Sequence, residues 1–156
     1  MNRILLLLAI TALLLTSFAC GGKKPLEQSA LKSKNVLSVL RDMNVAYEKK
    51  DSASFMANVS PVFQDREQFA TSLSLVFSKF ESIRFNVQYT RMLIMVEDKG
   101  PIKATFNWDA EWLSAGGTLV KNGGRITLVF EPGSFKLVSI DGKNPFIPQQ
   151  GELPGK

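Results

Sequence analysis

"SIRFNVQYT", Ser82 to Thr90, decides how the chain is to be read. Ile83, Phe85, Val87 and Tyr89 alternate with Arg84, Asn86, Gln88 and Thr90. Successive strand side chains point to opposite sides, so this alternation predicts a strand with one dry face. Upstream the spacing is helical. In "DREQFATSLSLVFSKF", Phe69, Leu73, Val76, Phe77 and Phe80 line one side of a helix, and Asp65 with Gln68 makes a capping-box pattern at its start. Before it, Asp51 is placed to cap a short helix in "DSASFMANV" that Pro61 ends. Earlier still, Val36, Val39, Leu40, Met43, Ala46 and Tyr47 mark the buried stripe of a first helix.

Downstream, the strand pattern continues. "MLIMV", Met92 to Val96, is apolar throughout, which predicts a strand either covered on both faces or bulged. Asp98-Lys99-Gly100-Pro101 reads as a turn. Strands follow over Ile102 to Leu113, Arg125 to Glu131 and Phe135 to Asp141, with "SAGG" and "KNGG" punctuating a hairpin region and Pro132-Gly133-Ser134 a turn. Short turns between successive strands require antiparallel neighbours. Helices first and a meander after them predict an α+β domain over residues 36 to 146, with N-terminal helices packed on a curved antiparallel sheet. The segment 147 to 156, "IPQQGELPGK", is polar and proline-broken and reads as a disordered tail.

Composition narrows the function. The 156 residues include 45% hydrophobic and 21% charged, ordinary for one globular domain. Net charge is +5, with lysines and arginines scattered rather than striped, which argues against nucleic acid as a partner. There is no histidine and one cysteine, Cys20. That removes the commonest general base, the usual nucleophile pairs, most zinc sites and any internal disulfide. No phosphate-binding loop, dinucleotide glycine motif or metal cluster is present, so no cofactor is expected.

The start of the chain speaks to location. Arg3 precedes the uncharged run "ILLLLAITALLL", Ile4 to Leu15, and small residues follow up to Cys20. This is the layout of a secretory signal over residues 1 to 19, shorter than a spanning helix needs, with an uncleaved anchor as the weaker alternative. Two cleavage readings stand. Ser17 and Ala19 suit ordinary signal cleavage and a soluble exported product. Ala19-Cys20-Gly21 also resembles the lipobox of bacterial lipoproteins, from which Ser17 and Phe18 depart. That resemblance implies lipidation of Cys20, by a diacylglyceryl thioether and an N-acyl chain such as palmitate. Two or more chains hold a protein firmly at a bilayer. Gly21 rather than aspartate then implies the periplasmic side of the outer membrane if the host is Gram-negative. "GGKKPLEQSALKSKN", Gly21 to Asn35, reads as a flexible tether whose later part can be helical.

Between about Leu31 and Phe146 the chain resembles nuclear transport factor 2-like domains, also called SnoaL-like or cystatin-like. The resemblance rests on the element order and on "AYEKKDSASFM" and "FKLVSIDGKNPF", with Phe135 where many relatives carry tryptophan. It implies a conical pocket between helices and sheet, and an outer sheet face that often pairs with a second subunit. "FNWDAEWL", Phe106 to Leu113, is the stretch that invites a chemical reading. Family enzymes use buried carboxylates, which makes Asp109 or Glu111 with Tyr47 or Tyr89 the candidates for an isomerase or dehydratase. Strand parity opposes this. Phe106, Trp108, Ala110 and Trp112 share one face, and Asn107, Asp109 and Glu111 share the other, where Arg84 or Arg125 is expected opposite them. Tyr89, Phe106, Trp108 and Trp112 either line a pocket for a small apolar ligand or fill the core. The leading expectation is thus a lipid-anchored envelope lipoprotein with a non-catalytic domain for a small ligand or an envelope partner. An Asp109 enzyme and a purely structural sheet-mediated homodimer are the alternatives.

Overall fold

A computed structural model describes residues 25–97 and 100–148. Cys20, the leader, residues 149–156 and the Asp98-Lys99 part of the expected turn lie outside the described residues. The chain divides into two units at Ala30/Leu31, and the sheet and its core belong to the second. Among the described residues there are three α-helices, α1 Pro25–Glu48, α2 Ser52–Ala57 and α3 Arg66–Lys79. Five strands follow: β1 Phe80–Val87, β2 Leu93–Val96, β3 Ile102–Ser114, β4 Leu119–Phe130 and β5 Leu137–Asp141. No described helix is long and apolar enough to cross a membrane.

Helix α1 starts earlier than the tether reading expected. Proline suits a first helical position because its missing N–H has no partner there anyway. The Leu, Glu, Gln, Ala and Lys residues that follow are good helix formers. The stretch is therefore helical from Pro25 onward. The stripe Val36, Leu40, Met43 and Tyr47 is buried as its spacing predicts. The helix ends where Lys50 adopts a left-handed φ of 57°. There the Lys50 amide donates to the Tyr47 carbonyl at 3.0 Å and the Asp51 amide to the Ala46 carbonyl at 2.8 Å, closing the helix end.

The next two helices begin differently. Asp51 caps α2 as expected, accepting from the Ser54 amide at 3.0 Å and the Ser54 hydroxyl at 2.6 Å. Asp65 precedes α3 in a left-handed conformation, φ 53°, and makes no side-chain capping bond. A capping side chain needs an extended backbone to reach back to the helix amides, so the predicted capping box does not form. Phe80 closes α3 and opens β1 instead of extending the helical stripe.

The sheet is antiparallel and curved, in the order β1-β3-β4-β5, with β2 also on β3. Ile83, Phe85 and Val87 are buried and alternate with exposed residues along β1. Tyr89 is not on that strand. It begins a 3-10 turn, Tyr89–Arg91, after which β2 resumes along the same edge of β3. β1 pairs with Trp108–Ser114 and β2 with Ile102–Thr105, so the turn is an insertion in one long bent edge. Within "MLIMV", Leu93–Val96 is an unbroken strand with one face open, neither covered on both faces nor bulged. Leu93 and Met95 are 53% and 47% exposed, while Ile94 and Val96 pack on the core.

β4 runs unbroken through "KNGG", which is strand and not turn. A Cβ on Gly123 would lie 2.9 Å from the Trp108 carbonyl oxygen, so the glycine permits close approach of two backbones. The turn into β5 ends at Phe135, φ 56°, two residues before the strand starts. The β5 end is tied to the helical layer: the Ser60 amide donates to the Leu137 carbonyl at 2.8 Å, and the Leu137 amide to the Asn58 carbonyl at 2.9 Å. Beyond β5 the domain continues past Phe146. Ile147 packs against the core and Pro148 is buried, so these two belong to the domain and not to a tail.

Candidate functional site

The inner face of β3 holds Phe106, Trp108 and Trp112, which are 1%, 3% and 0% exposed. The Trp112 indole donates to the Tyr47 hydroxyl at 2.8 Å, and that hydroxyl donates to the Phe146 carbonyl at 2.8 Å. Burial pushes the Tyr47 hydroxyl far above its ordinary pKa, with the Trp112 bond opposing the shift, so the group is a neutral donor. Its ring meets Phe55, Phe77, Phe85 and Phe146 at centroid separations of 5.3 to 6.0 Å. Trp108 stacks on Phe85 at 5.8 Å, and its buried indole N–H has no partner among the described residues. Tyr89 stands apart at the rim, half-buried, with the Arg41 guanidinium 5.7 Å above its ring. Burial raises its pKa and Arg41 opposes that. The four aromatic candidates therefore do not converge: three are in the core and one is at its edge.

The carboxylates lie where strand parity put them. Asp109 is exposed and accepts from the Asn86 amide nitrogen at 3.0 Å. Glu111 pairs in register with Arg84 on one side and Lys121 on the other, and its carboxylate meets the Lys121 ammonium at 2.5 Å. That hydrogen bond and charge hold Glu111 below the usual carboxylate range. Arg125 sits opposite Asn107, and Asp109 faces Gly123. The sheet thus stands between these carboxylates and the Tyr47 hydroxyl. Among the described residues, no three Asp, Glu or Cys side chains gather to hold a metal ion.

Elsewhere, two of the clefts among the described residues share the Ile147-Pro148 segment and α3 as walls. The larger, about 470 Å³, lies between the start of α3 and that segment. Phe63, Gln64, Asp65, Gln68 and Asn144 are among its walls. The smaller, about 210 Å³, is lined by Leu75, Val76, Lys79 and Phe80. Sequence reading missed both, because their walls come from three separated stretches. The nearest signals were an aromatic residue stranded in a loop, Phe63, and the apolar cluster "PFIP" at residues 145–148.

No family model matches the sequence, and no curated protein is similar to it. Solved structures are similar in fold. A proposed dehydratase of the nuclear transport factor 2-like family from Streptomyces avermitilis superposes with a TM-score of 0.63 at 16% identity, over 72% of this chain and 95% of its own. A nuclear transport factor 2-like superfamily protein of Salmonella enterica gives 0.63 at 14%, over 79% and 97%. AusH from Aspergillus nidulans gives 0.56 at 11%, over 69% and 81%. Three helices laid on a bent antiparallel sheet, shared over most of each chain at such low identity, give this protein the nuclear transport factor 2-like fold.

Proposed function

We propose that this chain is an exported, lipid-anchored envelope protein whose nuclear transport factor 2-like domain binds a ligand or a partner without catalysing a reaction. The observation that carries the second half is the separation of its acid groups from its buried hydroxyl. A proton-transfer site needs donor and acceptor within hydrogen-bond reach of one substrate. Asp109 and Glu111 are instead on the outer face, one bonded to Asn86 and the other to Lys121. Tyr47 has both roles of its hydroxyl filled within the core. An isomerase or dehydratase built on Asp109 would need an enclosing cavity at that carboxylate, and the cleft of about 220 Å³ on the outer face is lined by Ser82, Arg84, Glu111, Leu113 and Leu119 without it. The first half rests on the leader and on Cys20. Intact-mass analysis of the membrane fraction tests it. The wild type is expected to carry acyl chains on an N-terminal Cys20, and Cys20→Ala to carry none. An unmodified wild-type N-terminus would remove the anchor.

A second reading, a homodimer joined through the sheet, is favoured by the outer face itself. Leu93 and Met95 are exposed at one end of it and Leu119 at the other, with the Arg84–Glu111–Lys121 row between. Light scattering across a range of concentrations tests it. A dimer is expected to dissociate in Leu93→Lys/Leu119→Lys, and a wild type that stays monomeric excludes it.

A further inference from the structure

We infer that the cleft between α3 and Asn144–Pro148 is a binding site for a neutral sugar residue of a glycan. Its volume of about 470 Å³ is that of a small-molecule site. Its aromatic wall is a stacked pair, Phe63 on Phe69 at 5.1 Å and 28°. Phe69 is buried and Phe63 only half so, which leaves part of the Phe63 ring open to a ligand.

The polar wall is uncommitted. On the rest of α3, hydroxyls fold back on the helix: Thr71 donates to the Glu67 carbonyl at 2.9 Å, Ser74 to Ala70 at 3.0 Å and Ser78 to Leu75 at 2.9 Å. Ser72, which lines the cleft, does not. Among the described residues, the side chains of Gln64, Asp65, Gln68 and Ser72 have no hydrogen-bond partner. Asn144 accepts from the Phe146 amide at 2.9 Å through its oxygen, which leaves its two N–H donors. Donors and acceptors are therefore mixed around one aromatic face.

The charge pattern selects among ligands. No lysine or arginine is among the described residues lining the cleft, and its one charge is Asp65. An anion would meet a carboxylate and no counter-charge. A purely apolar ligand would bury four uncommitted polar groups, each unfavourable to desolvate unpaired. A sugar ring has an apolar C–H face for Phe63 and a rim of hydroxyl or acetamido groups for glutamine, asparagine, serine and aspartate.

This inference rests on the reading of the domain as a binding module, and the test separates the two. Full-length protein in detergent micelles is titrated with chitotriose, the neutral trimer of N-acetylglucosamine, and its backbone amide shifts are followed. Saturable shifts confined to residues 63–72 and 144–148 are expected. Phe63→Ala should weaken binding about tenfold through lost stacking, and Gln68→Ala about threefold to tenfold through one lost hydrogen bond. Asp65→Asn, which keeps the side-chain shape and removes the charge, should change affinity less than about threefold for a neutral ligand. Should Phe63→Ala fail to fold, Gln64→Ala and Gln68→Ala, both at exposed positions, decide the matter. Chitotriose shifts elsewhere on the domain overturn the cleft and leave the binding module standing. Absence of saturable shifts overturns the cleft as a glycan site. So does preferential binding of tetramethylammonium that Asp65→Asn abolishes, since the site would then be one for cations.

Discussion

Tyr47 and Trp112, 65 residues apart in the chain, are joined by a 2.8 Å hydrogen bond at the centre of the core. The same tyrosine hydroxyl donates to the Phe146 carbonyl, so one oxygen links the first helix, the longest strand and the segment after β5. Tyr47→Phe removes that oxygen and leaves the Trp112 N–H and the Phe146 carbonyl buried without a partner. Each unsatisfied group costs about 1–3 kcal/mol. A loss of about 2–4 kcal/mol on urea denaturation is expected, with the fold retained. A loss below about 0.5 kcal/mol would mean that water reaches both groups.

Gly123 and Gly124 are neighbours with different surroundings, and alanine should distinguish them. A Cβ at Gly123 would stand 2.9 Å from the Trp108 carbonyl oxygen, whereas at Gly124 it would stand 3.7 Å from the Trp108 indole nitrogen, an ordinary contact. Gly123→Ala is expected to destabilise by about 1–3 kcal/mol through backbone displacement. Gly124→Ala should stay within about 1 kcal/mol, because a strand glycine gains from alanine what the contact takes away. Thermal melting of the two single variants checks the order.

Two aspartates precede helices and only one caps. Asp51→Ala should cost about 1 kcal/mol through the lost bonds to Ser54. Asp65→Gly should cost nothing and can stabilise by a few tenths of a kcal/mol, since the backbone there is left-handed and the side chain makes no capping bond. Denaturation midpoints that fall equally in both variants would contradict the assignment.

Acid should weaken the fold through three carboxyls. Glu131 is held below its ordinary pKa by hydroxyl bonds from Ser134 and Ser60, Glu111 by Lys121 and Asp51 by Ser54. A carboxyl depressed in the folded state binds fewer protons there than when unfolded. Its stabilisation is therefore complete above the unfolded value of about 4 and is lost as pH falls through the folded value. Stability is expected to be flat from pH 7 to 5 and to decline below about pH 4. Glu131→Gln should flatten part of that decline, measured by urea midpoints across the range.

Where burial follows a local period, the fold was legible. The α1 stripe through Tyr47 and the alternation through Val87 needed only the spacing of apolar residues. Parity along β3 likewise placed Asp109 and Trp108 on opposite faces. The failures came where a distant partner decided the conformation. "KNGG" has the composition of a turn, yet it is strand because the Trp108 backbone comes close to Gly123. Tyr89 continues an alternating pattern but enters a turn that lets two short strands share one edge of β3. Ile147 and Pro148 look like the start of a polar tail, yet Ile147 packs on the core and Pro148 is buried. The 470 Å³ cleft could not be read at all, because no single stretch contains its walls.

Phe146 sets the order of events during synthesis. Its ring sits 4.9 Å from Phe55 and 5.3 Å from both Tyr47 and Phe85, and it lies 99 residues downstream of Tyr47. The aromatic centre cannot close while the ribosome is still short of that residue, so the nascent helices and early strands wait as an incomplete chain. Under the export proposed above, through a channel that threads unfolded chains, such lateness would be an advantage: maturation would begin on the far side.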